Sequence, residues 1–194
     1  KRNAVLYAAN TLIINDFDFI YNDQRISIDA NIVPELSSTL DVQVENLNID
    51  IIKQFVPFDA PISGVLNAKT HVDSVLNHPI VQADGLLRSF AFDSVEYGNL
   101  TLKSELLRRN EKNLLAVEAK LFKDLAAHSL LDLSGYYDPS DDVSPMDFTL
   151  NSYKFPLQML SPLIGDALYD LKGEAFIDKM KITGSFEHPK ANGF

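Results

Sequence analysis

Apolar and polar residues alternate with a period of two along most of this chain, and that pattern leaves little besides β-strands as its folded state. Arg25-Ile26-Ser27-Ile28-Asp29-Ala30-Asn31-Ile32, Leu40-Asp41-Val42-Gln43-Val44 and Leu47-Asn48-Ile49-Asp50-Ile51 each place their apolar side chains on one side of an extended backbone. The same alternation returns in Leu100 to Ser104, Leu115 to Leu121, Phe148 to Asn151 and Ala175 to Asp178. A helix would scatter these residues around its circumference; a strand sorts them onto two faces.

Short polar stretches between the strands read as turns: Tyr21-Asn22-Asp23-Gln24, Glu96-Tyr97-Gly98-Asn99, Asn110-Glu111-Lys112-Asn113 and Asp138-Pro139-Ser140-Asp141-Asp142. Connections this short pair consecutive strands antiparallel. Two segments depart from the alternation. Ile51 to Val56 and Leu157 to Ile164 bunch their apolar residues beside Pro57 and Pro156, which predicts short helices or irregular plugs.

These departures fall at matching places in a repeat. His78-Pro79 and His188-Pro189 stand 110 residues apart, and Gly64 and Gly173 stand 109 apart. The block from Leu40 to Ile51 aligns with that from Met146 to Leu157 at a shift of 106. Each copy runs from a strand into a plug, then into a strand with Gly near its start, then to an apolar residue ahead of His-Pro. Two copies are therefore expected, residues 1–85 with a shortened start and residues 86–194, joined in one continuous sheet. The prolines punctuate it, since a residue without an N–H suits a bend or a sheet edge. The opening KRNAVLY, which lacks an initiator Met, reads as a piece of a longer protein.

Composition removes several functional classes. A net charge of -10 opposes a polyanionic partner, and the densest basic stretch, Leu107 to Lys112, reads as a hairpin tip, so no nucleic acid is expected. With no cysteine there is no disulfide and no thiolate metal site. The apolar runs are far shorter than the roughly 20 residues that span a bilayer as a helix. His71 and His128 are isolated, and the two His-Pro histidines lie a full repeat apart, so no metal is expected. Asp16 and Asp18 place two carboxylates on one strand face opposite Phe17 and Phe19, the ordinary appearance of a solvated strand rather than a glycosidase pair. Asp138, Asp141 and Asp142 lack the Gly and distal Glu of a calcium loop. No nucleophile elbow, phosphate loop or dinucleotide fingerprint occurs, so neither catalytic residues nor a cofactor is expected.

The order of strand, plug, Gly-strand and apolar-x-x-Pro-x-x-x-Gly, followed by the hairpin Phe92 to Leu100 with its Tyr97-Gly98-Asn99, resembles the C-terminal repeats of the TamB proteins, within the AsmA-like, bridge-like lipid-transfer group of the Gram-negative envelope. Gly184 ahead of the second His-Pro matches that pattern, whereas Ser74 holds the corresponding place in the first copy. The resemblance implies an all-β fold: a long, twisted, antiparallel-rich sheet curled into an open trough, or β-taco, with an apolar concave face and one or two short helical plugs. It also implies a periplasmic segment of a protein anchored in the inner membrane. That protein would reach an Omp85-family (TamA-like) outer-membrane partner and serve in lipid transport or outer-membrane biogenesis.

The function expected is non-catalytic conduction of phospholipid along a hydrophobic groove. The groove's expected lining is Val42, Val44, Leu100, Leu102, Val117, Leu121, Phe148, Leu150 and Ile177. The alternative is a β-rich scaffold that assists outer-membrane protein assembly by strand augmentation, and its exposed edges would also permit edge-to-edge self-association. The same apolar residues would equally suit the closed core of a sandwich. A sandwich with a carbohydrate site is the weakest reading, because the chain has no Trp.

Overall fold

A computed structural model describes residues 3–34, 38–52, 61–109, 112–125, 127–160, 172–185 and 187–193. Among these residues twelve strands form one sheet in strict sequence order: β1 (Ala4–Ala8), β2 (Thr11–Tyr21), β3 (Gln24–Ile32), β4 (Thr39–Asn48), β5 (Ile62–Asp73), β6 (Ile80–Phe92), β7 (Val95–Arg109), β8 (Lys112–Phe122), β9 (Leu131–Tyr137), β10 (Met146–Pro156), β11 (Glu174–Gly184) and β12 (Pro189–Asn192). Every neighbouring pair is antiparallel, and β1 and β12 form two free edges, so the sheet is open rather than a barrel. A single helical turn, α1 (Ile49–Ile52), follows β4, and a 3-10 turn (Leu157–Leu160) follows β10. The 3-10 turn begins where a plug is predicted, whereas α1 overlaps the predicted plug only at Ile51 and Ile52 and takes Ile49 to Ile51 out of the strand expected there, β4 ending at Asn48; 53–56 and 161–164 lie outside the described residues.

Two backbone irregularities fall at places that the expected repeat aligns. A β-bulge inserts an extra residue and breaks the alternation locally. In the first copy Glu45 and Asn46 together oppose Asn67; in the second Tyr153 and Lys154 together oppose Phe176. Asn46 and Lys154 both take positive φ, 53° and 57°. The two His-Pro pairs occupy the equivalent connections, β5 to β6 and β11 to β12, with Pro189 opening the edge strand. The division at residues 85 and 86 falls inside β6, so the copies share a strand.

One predicted turn is displaced. The β6–β7 hairpin turns at Asp93-Ser94, where both residues have positive φ (48° and 66°), and not at Glu96-Tyr97-Gly98-Asn99, which belongs to β7. Two left-handed residues in succession match the right-handed twist of the flanking strands, and an Asp-Ser pair tolerates them. Gly98 serves instead as an irregularity within the strand, paired with Phe90 and held at φ +110°. The hairpins at Asn22-Asp23 and 138–145 turn as predicted; Asn110 and Glu111 lie outside the described residues.

The deepest packing lies on one side of the sheet near the β6–β7 turn. Tyr97, Leu121 and Phe155 are buried together, with Phe90, Leu100, Leu131, Met159 and Ala175 packed around them. The Tyr97 hydroxyl donates to the Met159 carbonyl, just beyond β10. Across a flat sheet β7 and β10 would stand about 14 Å apart, beyond a tyrosine's reach. The sheet therefore curls toward this side, with the 3-10 turn folded into the curl.

Candidate functional site

Antiparallel register assigns every strand residue to a face, because directly opposed residues project to the same side. One cross-strand row reads Phe17, Ile28, Val42, Thr70, Ala83, Ser104, Val117, Gly135, Phe148, Ile182 and Ala191, from β2 to β12. The next reads Phe19, Ile26, Val44, Ala68, Gly85, Leu102, Ala119, Leu133, Leu150 and Met180. A third, Leu66, Leu87, Leu100, Leu121, Leu131, Ser152 and Ile177, borders the curled end.

All nine residues expected to line a groove fall in these rows, three to a row. They share one apolar face, and among the described residues no second sheet covers it. Its residues range from buried Leu121 and Phe148 to Leu102, 44% exposed, and Phe19, 68% exposed. Ala68 and Gly85 keep its floor low between Val44 and Leu102, and Ala119 does so between Leu102 and Leu133.

The opposite face is polar and carries open hollows. One of about 600 Å³ crosses β6 to β11 between Asp84, Lys103, Glu105, Glu118, Asp147 and Lys181. A strongly twisted sheet is saddle-shaped, so each face is hollow along one diagonal. The charges here alternate in sign, Asp84 opposite Lys103 opposite Glu118, and Lys181 Nζ lies 2.9 Å from Asp147. Among the described residues no three His, Asp or Glu side chains are grouped to hold a metal ion.

Asp16 and Asp18 do not form a matched set. Asn15 and Asp16 share a bulge opposite Asp29, with Asp16 at φ 48°, which breaks the two-residue spacing from Asp18. Asp18 accepts from Arg25 Nε and Nη2 and from the Ser27 hydroxyl, and it holds the Arg25 guanidinium above its usual pKa. Asp138 accepts from Lys112 and from both the backbone and hydroxyl of Ser140, which lowers it to about 2 and ties the loop into its turn.

His71, expected to be isolated, has a carboxylate at each ring nitrogen. Its Nδ1 lies 2.7 Å from Asp41 on β4 and its Nε2 3.3 Å from Asp73 on its own strand. Both nitrogens meet carboxylate oxygens only as donors, so the cation fits best. The Asp41 hydrogen bond raises the imidazole above its ordinary 6.5. Such a group stabilises the fold fully below 6.5, and that contribution is lost as pH rises through the raised folded value. The urea midpoint of the native chain should therefore exceed that of His71→Gln at pH 5.5, and the gap should narrow as pH rises above 6.5. A gap that widens with pH would show the clamp to be misassigned.

The described residues contain no helix long and apolar enough to cross a membrane. No family model, curated protein or solved structure matches the chain.

Proposed function

We propose that this chain is a non-catalytic segment of a periplasm-spanning, TamB-like protein that conducts phospholipid along the apolar face of its curled sheet toward an Omp85-family partner in the outer membrane. The observation that supports this reading is the continuity of that face. Its rows run across the join between the two copies without a charged residue among the positions named above.

An acyl chain of about 16 carbons, at about 0.8 kcal/mol per buried CH₂, gains about 13 kcal/mol gross on leaving water. Each step along uniform rows covers as much chain as it uncovers, so movement meets little resistance. The polar face opposite stays wetted by its alternating charges.

A photocrosslinking residue at Val44 or Phe148, introduced in cells, should capture phospholipid, whereas one at Lys103 on the polar face should not. Capture of protein alone at both apolar positions would overturn the proposal. One observation favours the second reading, in which the segment templates a nascent outer-membrane strand. The edge strand β1 presents Val5, Leu6 and Tyr7, each more than half exposed. In that case crosslinkers at Val5 and Tyr7, rather than those on the apolar face, would carry incoming polypeptide.

A further inference from the structure

The two copies of the repeated bulge differ in chemistry. In the first, the Asn67 side-chain oxygen accepts from the Asn46 backbone N–H. In the second, the equivalent place is taken by two aromatic rings, Tyr153 and Phe176, packed edge to face with centroids 5.6 Å apart. They are 58% and 62% exposed. Residues so apolar cost free energy when left to water at a strand irregularity, and backbone geometry does not require them there, since Asn67 satisfies the same bulge.

These rings open on a hollow of about 440 Å³, which Asp132, Asp178, Ser129 and Asn151 also line. Asp132 sits opposite both Lys120 on β8 and Asn151 on β10. Among the described residues its Oδ1 nevertheless has no hydrogen-bond partner, although it is buried. Asn151 turns its side-chain oxygen to the Lys179 N–H, and its amide N–H groups make no bond to the Asp132 Oδ1. A buried acceptor left in this state draws a donor. The Lys154 ammonium already lies 5.6 Å from the centroid of the Tyr153 ring, so this ring stands where a cation is favourable.

We infer that the hollow is a binding site for a primary alkylammonium group, with Asp132 accepting its N–H, Asp178 adding negative charge, and the Tyr153–Phe176 corner holding the methylenes next to the nitrogen. Two perpendicular rings make a corner that suits a tetrahedral ammonium, not the flat platform that stacks a sugar. The hollow lies on the polar face, so this site is separate from the acyl path proposed above and stands or falls without it. The ammonium is carried either by a small free amine or by a lysyl side chain.

The test is a titration of the intact chain, carrying ¹³C-labelled aromatic residues, followed by NMR. Butylammonium should shift the Tyr153 and Phe176 signals saturably. Tetramethylammonium, which has charge but no donor, should bind more weakly, and neutral butanol weaker still. Asp132→Asn should weaken butylammonium about tenfold, the equivalent of about 1.4 kcal/mol, and Tyr153→Ala should do the same. Tighter binding of N-acetyl-lysine amide than of butylammonium would point to a lysyl source, and the reverse to a free amine. Equal responses to butanol and butylammonium, or an Asp132→Asn variant that binds as the native chain does while keeping native backbone shifts, would overturn the site.

Discussion

Leu102→Asp should break lipid passage while leaving the sheet folded. Leu102 stands in the middle row of the apolar face, between Val44 on β4 and Leu150 on β10, and is 44% exposed. A carboxylate there stays partly hydrated when the trough is empty, so its cost to stability is small. An acyl chain passing over it must strip that hydration, at about 2.5–3.5 kcal/mol on scales for inserting charge into hydrocarbon. A penalty of that size lowers occupancy about a hundredfold. Phospholipid captured at Val44 or at Phe148, whichever lies beyond the block, should fall accordingly. The control is one residue away. Thr101 pairs with Leu86 and Lys120 on the polar face, so Thr101→Asp should change nothing in capture. Equal loss in both variants would mean that charge on β7 acts through folding; no loss in either would remove the apolar face from the transport path.

The contrast between Thr101 and Leu102 needs no structure to find, since a period of two puts neighbouring residues of any strand on opposite faces. Wherever the alternation is unbroken, sequence order also supplies the strand order, because short polar connections leave each strand nowhere to pair but beside its predecessor. That the nine apolar residues share a face is legible for that reason. What escaped were the places where the backbone steps out of phase. Asn46, Lys154 and Lys179 adopt positive φ at bulges that no residue type announces. Tyr97-Gly98-Asn99 carries turn chemistry yet lies within β7, because Asp93-Ser94 closes the hairpin first. The corner formed by Tyr153 and Phe176 depends on such a bulge, and so does the company of Asp132, 21 residues from Tyr153 in sequence but beside it in the hollow. Curvature is a sum of twist over twelve strands, so the hollows of the polar face could not be read from any one segment.

Gly98→Ala should be the most destabilising single exchange at the join of the two copies. A Cβ built on Gly98 would stand 2.2 Å from the Phe122 carbonyl oxygen and 3.0 Å from the Lys123 Cα, both backbone atoms that cannot swing aside. Its φ of +110° adds strain that an L side chain does not relieve. Together these cost about 3 kcal/mol or more, which moves the urea midpoint of the step that loses β7 down by about 1.5 M at an m-value of about 2 kcal/mol/M. Gly85 offers the comparison on the neighbouring strand. Its nearest atoms lie 3.9 Å away, in ordinary contact, so Gly85→Ala should be neutral or slightly stabilising. The position of Gly98 gives the loss a further consequence. Beside it, Tyr97 ties β7 to the 3-10 turn after β10, and the β6–β7 hairpin is where the first copy meets the second. In a sheet whose strands pair only with their neighbours in sequence, weakening one junction divides the cooperative unit. Gly98→Ala should therefore unfold in two steps, with amides of β7 to β11 exchanging before those of β3 to β5. A single transition at the native midpoint would mean that the two copies are not coupled through this hairpin.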